Sequence, residues 1–428
     1  DVAALAHDGV VTVDGVELRL VDLDFAAANA EVFLRSPGFP RYLPPLVAAR
    51  DRGVAMTTPV DLFMATLRPD QKVVAITGTK GKSTTTELLG RFLADAGIRA
   101  GVAGNLGIPV FADGWDSDAP VIVIEVSSYQ ASDLHQVPDI AVLTSLSQDH
   151  LSWHGGVERY VADKLRVVSN ERGTAPVVIV SADEPGAIAA VESHNPVVVK
   201  SPPNLEGLPF QRVQNAALAA EALRQLTSGD VDASSMTDEQ ILAGAGATMP
   251  GRLDPCPADV ERWQSVSFLD DTLGSNPSAT AAGLRWARST GRPTVVILGG
   301  TDRGVSVEPL RQEASAWNPD LLGAVTVADN GEDLATESGI AVVGEAASVA
   351  DAVSHATSWL ESRIEDTNQT ESASRSEDMT GAASATAAGS SAPVEGIVLF
   401  SPAAPTPVRQ GSWKDRSADF RAAISDLR

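Results

Sequence analysis

Residues Val73 to Thr86, VVAITGTKGKSTTT, leave this chain few ways to fold. The apolar run Val73 to Ile76 predicts a buried strand. Gly78-Thr79-Lys80-Gly81-Lys82-Ser83 follows, and helical spacing begins at once, from Ser83 to Ala96. Strand, glycine loop and helix in succession turn backbone N–H groups and a helix N-terminus toward one point, which suits a phosphate chain. Glycine lets the main chain come close, Lys82 supplies a mobile positive charge, and the Ser83 hydroxyl suits Mg²⁺. The spacing G-x-x-G-K-S is two residues shorter than the general phosphate loop. A tight turn capping a helix would also produce it, and the flanking strand and helix favour a nucleotide site.

The rest of the chain repeats that texture. From Lys72 to about Thr248, strand-like runs (Val121–Val126, Ile140–Leu146, Pro176–Val180) alternate with helical ones such as Asn215–Leu226, predicting a mostly parallel sheet covered on both faces. Residues 1–68 form a smaller α/β unit, with strands at Val10–Val13, Val16–Val21 and Glu31–Leu34, a hairpin turn at Asp14-Gly15 and a helix at Leu46–Arg52. After Pro250 the pattern restarts, with strands at Val266–Leu269, Thr294–Leu298, Leu322–Val327 and Gly396–Phe400. The expected domains are therefore 1–68, 69–249 and 250–428. Within the last, residues 367–393 are rich in Ser, Ala, Thr and Gly and read as a disordered insertion.

The formal charge of −24 argues against nucleic acid or an anionic membrane as a partner, and no apolar run approaches the roughly 18 residues of a membrane span. Anionic substrates then require local clusters of Lys, Arg and Mg²⁺. The single cysteine, Cys256, precludes an internal disulfide and fits a cytoplasmic protein without a signal peptide. Asp1 rather than Met opens the chain, which reads as trimmed.

Several residues stand where chemistry is expected. Glu125 ends a buried strand ahead of Ser127-Ser128-Tyr129-Gln130, at the edge where parallel sheets bind ligands; it serves there either as a Mg²⁺ ligand or as a helix N-cap. Asp149-His150 ends the next strand, and His150 suits a second Mg²⁺ or an anionic substrate. By pattern alone Lys164 is a solvated helical lysine. Asn105 caps a turn or meets substrate, and Arg252 and Asp271 form a hinge salt bridge or face a ligand.

Taken together, these motifs resemble the Mur ligase family of ATP-dependent enzymes. The resemblance spans nearly the whole chain, through Gly78-Thr79-Lys80-Gly81-Lys82-Ser83-Thr84, Gly104-Asn105-Leu106-Gly107, Glu125 to Gln130, Asp149-His150, Lys164, Asn215, Arg252, Asp271 and Ser401-Pro402. It implies an N-terminal Rossmann-like domain, a central phosphate-loop domain and a C-terminal Rossmann-like domain. Arg35-Ser36-Pro37-Gly38 points within the family to ligases that add glutamate to UDP-N-acetylmuramoyl-L-alanine through an acyl phosphate. Gly78, Thr79, Lys80, Gly81, Lys82, Ser83 and Thr84 would then hold ATP, Asn215 would contact adenine, and Arg252 and Asp271 would reach ATP by closure about Met249 to Gly251. Two Mg²⁺ sites are implied, with Ser83 and Glu125 at the first and His150 at the second, helped by a carbamylated Lys164; Lys82, His150 and Lys164 would be the catalytic set. Ser36, Gly38, Asn105, Ser127, Ser128 and Gln130 would contact the UDP-muramoyl substrate. A monomer acting on small molecules is implied, with a separate epimerase in the same pathway.

The chain also departs from the family. No opening strand or uridine-binding glycine loop precedes residue 1, so the chain is read as truncated or uridine as held differently. Positions that favour lysine, threonine, lysine, serine and phenylalanine in D-glutamate-adding enzymes read here as Leu273, Ser275, Arg303, Thr406 and Trp413. One ammonium is lost and the other becomes a guanidinium, which changes the grip on a carboxylate. A branch that adds L-glutamate resembles this chain further in Trp153-His154-Gly155, Gly300-Thr301-Asp302-Arg303-Gly304 and Ser401-Pro402-Ala403-Ala404-Pro405, so L-glutamate is favoured over D-glutamate. Of the rivals, a folylpolyglutamate synthase does not suit the Ser36-Pro37-Gly38 segment, and intact Lys82, Glu125, His150 and Lys164 speak against a non-ligating partner protein. A phosphate-loop switch or transport ATPase would hydrolyse ATP without any amino acid.

Overall fold

The computed structural model describes residues 10–13, 16–19, 21–105, 108–169, 175–203, 208–227, 236–247, 249–327, 329–376 and 394–428. The chain divides into two compact units, Asp1–Asn204 with Arg212–Ala245, and Leu205–Gln211 with Gly246–Arg428. The N-terminal segment that the sequence sets apart belongs to the first unit.

That segment opens with β1 (Val10–Val13) and β2 (Val16–Arg19), an antiparallel pair whose turn at Asp14-Gly15 lies outside the described residues. β3 (Val32–Leu34) and β4 (Ala55–Thr57) pair in parallel, with helix Pro44–Asp51 between them in sequence. Ala27, Leu46, Ala49 and Met56 form a small apolar cluster there.

The main sheet of the first unit comprises β5 (Lys72–Thr77), β6 (Ala100–Gly104), β7 (Val121–Glu125), β8 (Ile140–Leu143), β9 (Val177–Ser181) and β10 (Val197–Val199). All its pairings are parallel, in the order β10-β9-β8-β5-β7-β6. Every residue of β7 is buried, as an unbroken apolar run requires when helices cover both faces. Helix Lys82–Asp95 packs Leu88, Leu89, Phe92 and Leu93 inward and is followed by Gly97 in the left-handed region, at φ 71°. The strand order matters for function. β6 and β7 lie on one side of β5 and β8 lies on the other, so the chain reverses direction across the sheet at the carboxyl end of β5. Such a switch point leaves a crevice where ligands bind.

The second unit holds β11 (Asp254–Pro255), β12 (Val266–Asp270), β13 (Thr294–Leu298), β14 (Leu322–Val327), β15 (Val342–Ala346) and β16 (Gly396–Phe400). Their order is β11-β12-β16-β13-β14-β15, parallel except for β11 against β12. Apolar clusters cover it, one around Phe268, Val325 and Phe420 and another around Leu284, Val296 and Leu334.

One expectation needs correction. Helix Val349–Ser376 is 28 residues long and runs well into the 367–393 stretch read as disordered. Ala352, Val353, Ala356 and Leu360 bury one face of its first turns. Once nucleated there, a helix gains one hydrogen bond per added residue. Residues 377–393 lie outside the described residues. Among the described residues, no helix is long and apolar enough to cross a membrane.

Candidate active site

The loop after β5 is built from glycines that no other residue replaces. Gly78 has φ 151°, and a Cβ on it would stand 2.0 Å from Thr144 Oγ1. Gly81 caps the following helix at φ 86°, and a Cβ there would stand 2.4 Å from Asn215 Oδ1. Asn215, buried on helix Phe210–Leu226, therefore lies against the loop. The segment after β8 braces the loop from the other side. Thr79 N donates to Ser145 O at 3.0 Å, Lys80 N to Ser145 Oγ at 2.9 Å, and Thr79 Oγ1 to Ser147 O at 2.9 Å. Tyr160 Oη also meets Thr79 Oγ1, at 2.7 Å. Thr79 is thus a supporting residue, while Lys80 pairs with Asp149 at 3.2 Å. Lys82 Nζ donates to Thr79 O at 3.1 Å from the first turn of helix Lys82–Asp95, where Ser83 is half-buried and Thr84 buried.

Glu125 ends β7 beside this loop at 1% exposure. Its Oε1 accepts from Asn105 Nδ2 at 3.0 Å, whereas its Oε2 is buried without a hydrogen-bond partner among the described residues. A buried carboxylate oxygen left bare is costly unless something positive occupies the space in front of it. The N-cap role that the sequence left open for Glu125 belongs to Ser127. Its hydroxyl accepts from Gln130 N while Gln130 Oε1 accepts from Ser127 N, a capping box on helix Ser128–Ala131.

Lys164 is a buried residue rather than a solvated one. At 2% exposure it donates to Gly78 O at 2.9 Å and stands 4.9 Å from the centre of the Tyr160 ring. Burial pushes its ammonium well below the usual lysine value, and Lys82 and Lys80 push it further against Asp149 and Glu125. His150 is pushed down to about 4, first by burial and then by Lys80, Lys82 and Lys164, with Asp149 opposing. Its imidazole is therefore neutral near pH 7 and has a lone pair to offer.

These groups meet because β7, β5 and β8 are neighbours, and their carboxyl ends present Glu125, the loop and the Asp149-His150 segment together. Among the described residues no three His, Cys, Asp or Glu side chains form a metal cluster. Magnesium takes one or two protein carboxylates and fills its remaining positions with water and phosphate oxygens. The bare Glu125 oxygen beside a phosphate-type loop fits such an ion.

Sequence reasoning missed what holds the N-terminal loop. Arg35 is buried at 3% exposure; its Nη1 donates to the carbonyls of Ser36, Pro37 and Phe39, and its Nε to Asp133 at 2.9 Å. Ser36 and Gly38 are exposed on the loop so shaped, and Gly38 O accepts from Trp153 Nε1 at 3.2 Å. Ser128 is committed elsewhere, its Oγ lying 3.0 Å from His154 Nε2.

In the second unit, Asp271 follows β12 and is buried. Its Oδ2 accepts from Ser401 Oγ at 2.7 Å and its Oδ1 from Leu253 N at 3.3 Å. Burial raises its carboxyl to about 7, against Ser401 and the nearby Arg252 guanidinium, which favour the anion. A small open cleft lies at the carboxyl ends of β12, β13, β14 and β16, lined in part by Ser275, Thr301, Asp302, Arg303, Asn330 and Pro405. Two of the five expected amino-acid contacts, Ser275 and Arg303, line it. Leu273 and Trp413 instead meet Gly251: Leu273 N donates to Gly251 O at 3.0 Å, and a Cβ on Gly251 would stand 2.8 Å from the Trp413 ring. Thr406 follows the lining residue Pro405 without being part of the wall.

Residues 76–218 match the model of the Mur ligase middle domain. The UDP-N-acetylmuramoyl-L-alanine–L-glutamate ligase of Micromonospora sp. is 31% identical over 93% of this chain and 83% of its own length. The UDP-N-acetylmuramoylalanine–D-glutamate ligase of Zymomonas mobilis is also 31% identical, over 73% of this chain and 71% of its own. Among solved structures, MurF from Acinetobacter baumannii superposes with a TM-score of 0.55 at 17% identity, covering 96% of this chain and 94% of its own. MurF from Thermotoga maritima in complex with ADP does so with a TM-score of 0.54 at 15% identity, covering 95% and 99%. These two share the fold. With the phosphate-type loop, the bare Glu125 oxygen and the buried Lys164 at one sheet edge, the chain belongs to the Mur ligase family, ATP-dependent enzymes that form amide bonds in peptidoglycan precursor synthesis.

Proposed function

We propose that this enzyme joins L-glutamate to the L-alanine carboxylate of UDP-N-acetylmuramoyl-L-alanine through an acyl phosphate. The observation that carries the ligase chemistry is the convergence of Lys82, Glu125, His150 and Lys164 on the loop after β5. The alanine carboxylate oxygen attacks the γ-phosphorus of ATP and ADP leaves. The glutamate amine then attacks the acyl carbonyl, loses a proton, and phosphate departs from the tetrahedral intermediate. Little covalent chemistry falls to the protein, so its work is positioning and charge stabilisation. Lys82 faces the charge spreading over the transferring phosphoryl group, and the loop N–H groups orient the phosphates. Ser83 and Glu125 would hold one magnesium ion and His150 another, and such ions would supply further neutralisation of the phosphate charge. Asn215, beside Gly81, would contact adenine. Ser36, Gly38 and Asn105 would contact the UDP-muramoyl substrate from the first unit, with Ser127, Ser128 and Gln130, bonded within the fold, lying alongside.

Lys164 is read here as a carbamate. Burial and Lys82 disfavour its ammonium, and the free amine adds to CO₂ with loss of one proton, giving an anionic oxygen donor. Crystals grown with bicarbonate at alkaline pH are expected to show density for the added carboxylate on Nζ; a bare amine there overturns the modification.

Support for L-glutamate comes from the cleft of the second unit, where Arg303 replaces an ammonium with a guanidinium. The relative aligned over 93% of this chain also carries an L-glutamate name. Mass-spectrometric product detection with UDP-N-acetylmuramoyl-L-alanine, ATP and Mg²⁺ tests both levels. Product with L-glutamate alone is expected. Product with D-glutamate alone overturns the handedness, and no product with either overturns the ligation.

A further inference from the structure

The motif Trp153-His154-Gly155 has no part in the chemistry above, yet it contains a buried polar side chain of the site's surroundings. His154 is 0% exposed, and both ring nitrogens have partners. Nδ1 lies 2.7 Å from Asp163 Oδ2 and Nε2 lies 3.0 Å from Ser128 Oγ. The carboxylate of Asp163 only accepts, so Nδ1 carries a proton. Asp163 also accepts from the Tyr42 hydroxyl, at 2.8 and 2.7 Å. One side chain thus joins the helix that carries Lys164, the helix that follows β7, and, through Asp163, the N-terminal segment.

His154 closes a short helix, Leu151–His154, whose N-cap is His150. Its backbone N–H donates to His150 O at 3.2 Å. His150 has φ 52°, a left-handed conformation that a β-carbon disfavours and that persists only where the surroundings over-determine it. The His150 ring packs against Tyr129, centroids 4.8 Å apart, and Tyr129 in turn stacks on the His154 ring at 5.7 Å. Backbone and rings therefore both lead from His154 to His150.

We infer that His154 is a positioning residue: locked between Asp163 and Ser128, it holds His150 in its strained conformation and its imidazole against Tyr129 beside the phosphate loop. What His150 does there rests on the proposed ligase reading; where His150 points does not. Without the lock, the one-turn helix is free to relax to an ordinary backbone, and the imidazole leaves its place.

The test uses the full chain free of metal and nucleotide. Imidazole nitrogen resonances are recorded by proton–nitrogen NMR, and His150 is assigned among the six histidines by its loss in His150→Gln. In His154→Leu the His150 resonances are expected to shift or broaden. kcat is expected to fall by roughly 10–100-fold, as for other partners that orient a metal ligand, with KM for glutamate little changed. His154→Asn sets an amide N–H near the Nδ1 position, keeps the Asp163 bond, and is expected to restore the His150 signal and most of kcat. His154→Gln fills similar space but reaches only toward Ser128, and keeps the test open where the leucine variant fails to fold; it is expected to behave like the leucine variant. An unchanged His150 signal in a folded His154→Leu or His154→Gln protein overturns the inference, as does His154→Asn behaving no better than Gln. Failure of the native protein to ligate either glutamate would sink the proposed reaction yet leave the NMR result standing.

Discussion

Lys82→Ala is expected to lower kcat by roughly 10²–10³-fold or more, the scale of losing one preorganised charge that faces a developing anion. Lys82 begins helix Lys82–Asp95 and is anchored through Thr79 O at 3.1 Å, so it stands where the loop N–H groups and the helix dipole converge. Its loss has a second consequence. Lys82 is among the charges that push Lys164 and His150 below their usual values, and its removal relaxes both toward protonation. Only the unprotonated amine of Lys164 adds CO₂, so carbamate formation is expected to weaken with that rise. Lys82→Arg keeps the charge but exchanges a compact ammonium for a planar fork, and is expected to recover little. Glutamate-dependent release of ADP and phosphate measures the effect; turnover of the alanine variant within tenfold of native would sink the assignment of Lys82.

Asp133→Ala is expected to cost the first unit about 3–5 kcal/mol of stability, the loss seen when one partner of a buried ion pair is removed. The physical case is stronger than for one pair. Asp133, 1% exposed, accepts from Arg35 Nε at 2.9 Å through Oδ2, which also lies 2.8 Å from Arg35 Nη2, and from Arg41 Nε at 2.5 Å through Oδ1. Its removal leaves two guanidiniums, 3% and 7% exposed, without their carboxylate. Arg35 also holds the carbonyls of Ser36, Pro37 and Phe39, so loosening it disturbs the loop assigned to the UDP-muramoyl substrate. The check is a urea titration read by hydrogen exchange of β7, which reports opening of the first unit alone. A loss below about 1 kcal/mol, the scale of an exposed pair, would mean that the network does not hold this segment.

Most of the parallel-strand core was legible because buried parallel strands announce themselves as unbroken apolar runs. Thr294–Leu298, Leu322–Val327 and Gly396–Phe400 stand where the pattern puts them, and Val121–Glu125 ends one residue early. The phosphate-type loop was legible for a similar reason: its glycines are demanded by local backbone geometry, visible within a few residues. The far end of helix Val349–Ser376 was not, since helix propagation needs no apolar signal once the first turns are anchored.

Lys164 marks the boundary between the two kinds of information. Its neighbours in sequence describe a solvated lysine on a helix, and only the approach of Gly78 O from 86 residues away buries it and disfavours its charge. Arg35 with Asp133, 98 residues apart, and Tyr42 with Asp163, 121 apart, are equally silent in sequence, because an ion pair or hydrogen bond has no period to read. The sequence by itself determined the strands, the glycine loop and the identities of the charged groups, all of which depend on local sterics and on the alternation of apolar and polar residues. The tertiary structure alone decided which charges are desolvated, which carboxylate oxygen is left bare and which histidine is strained, because those depend on the order in which parallel strands come to lie side by side.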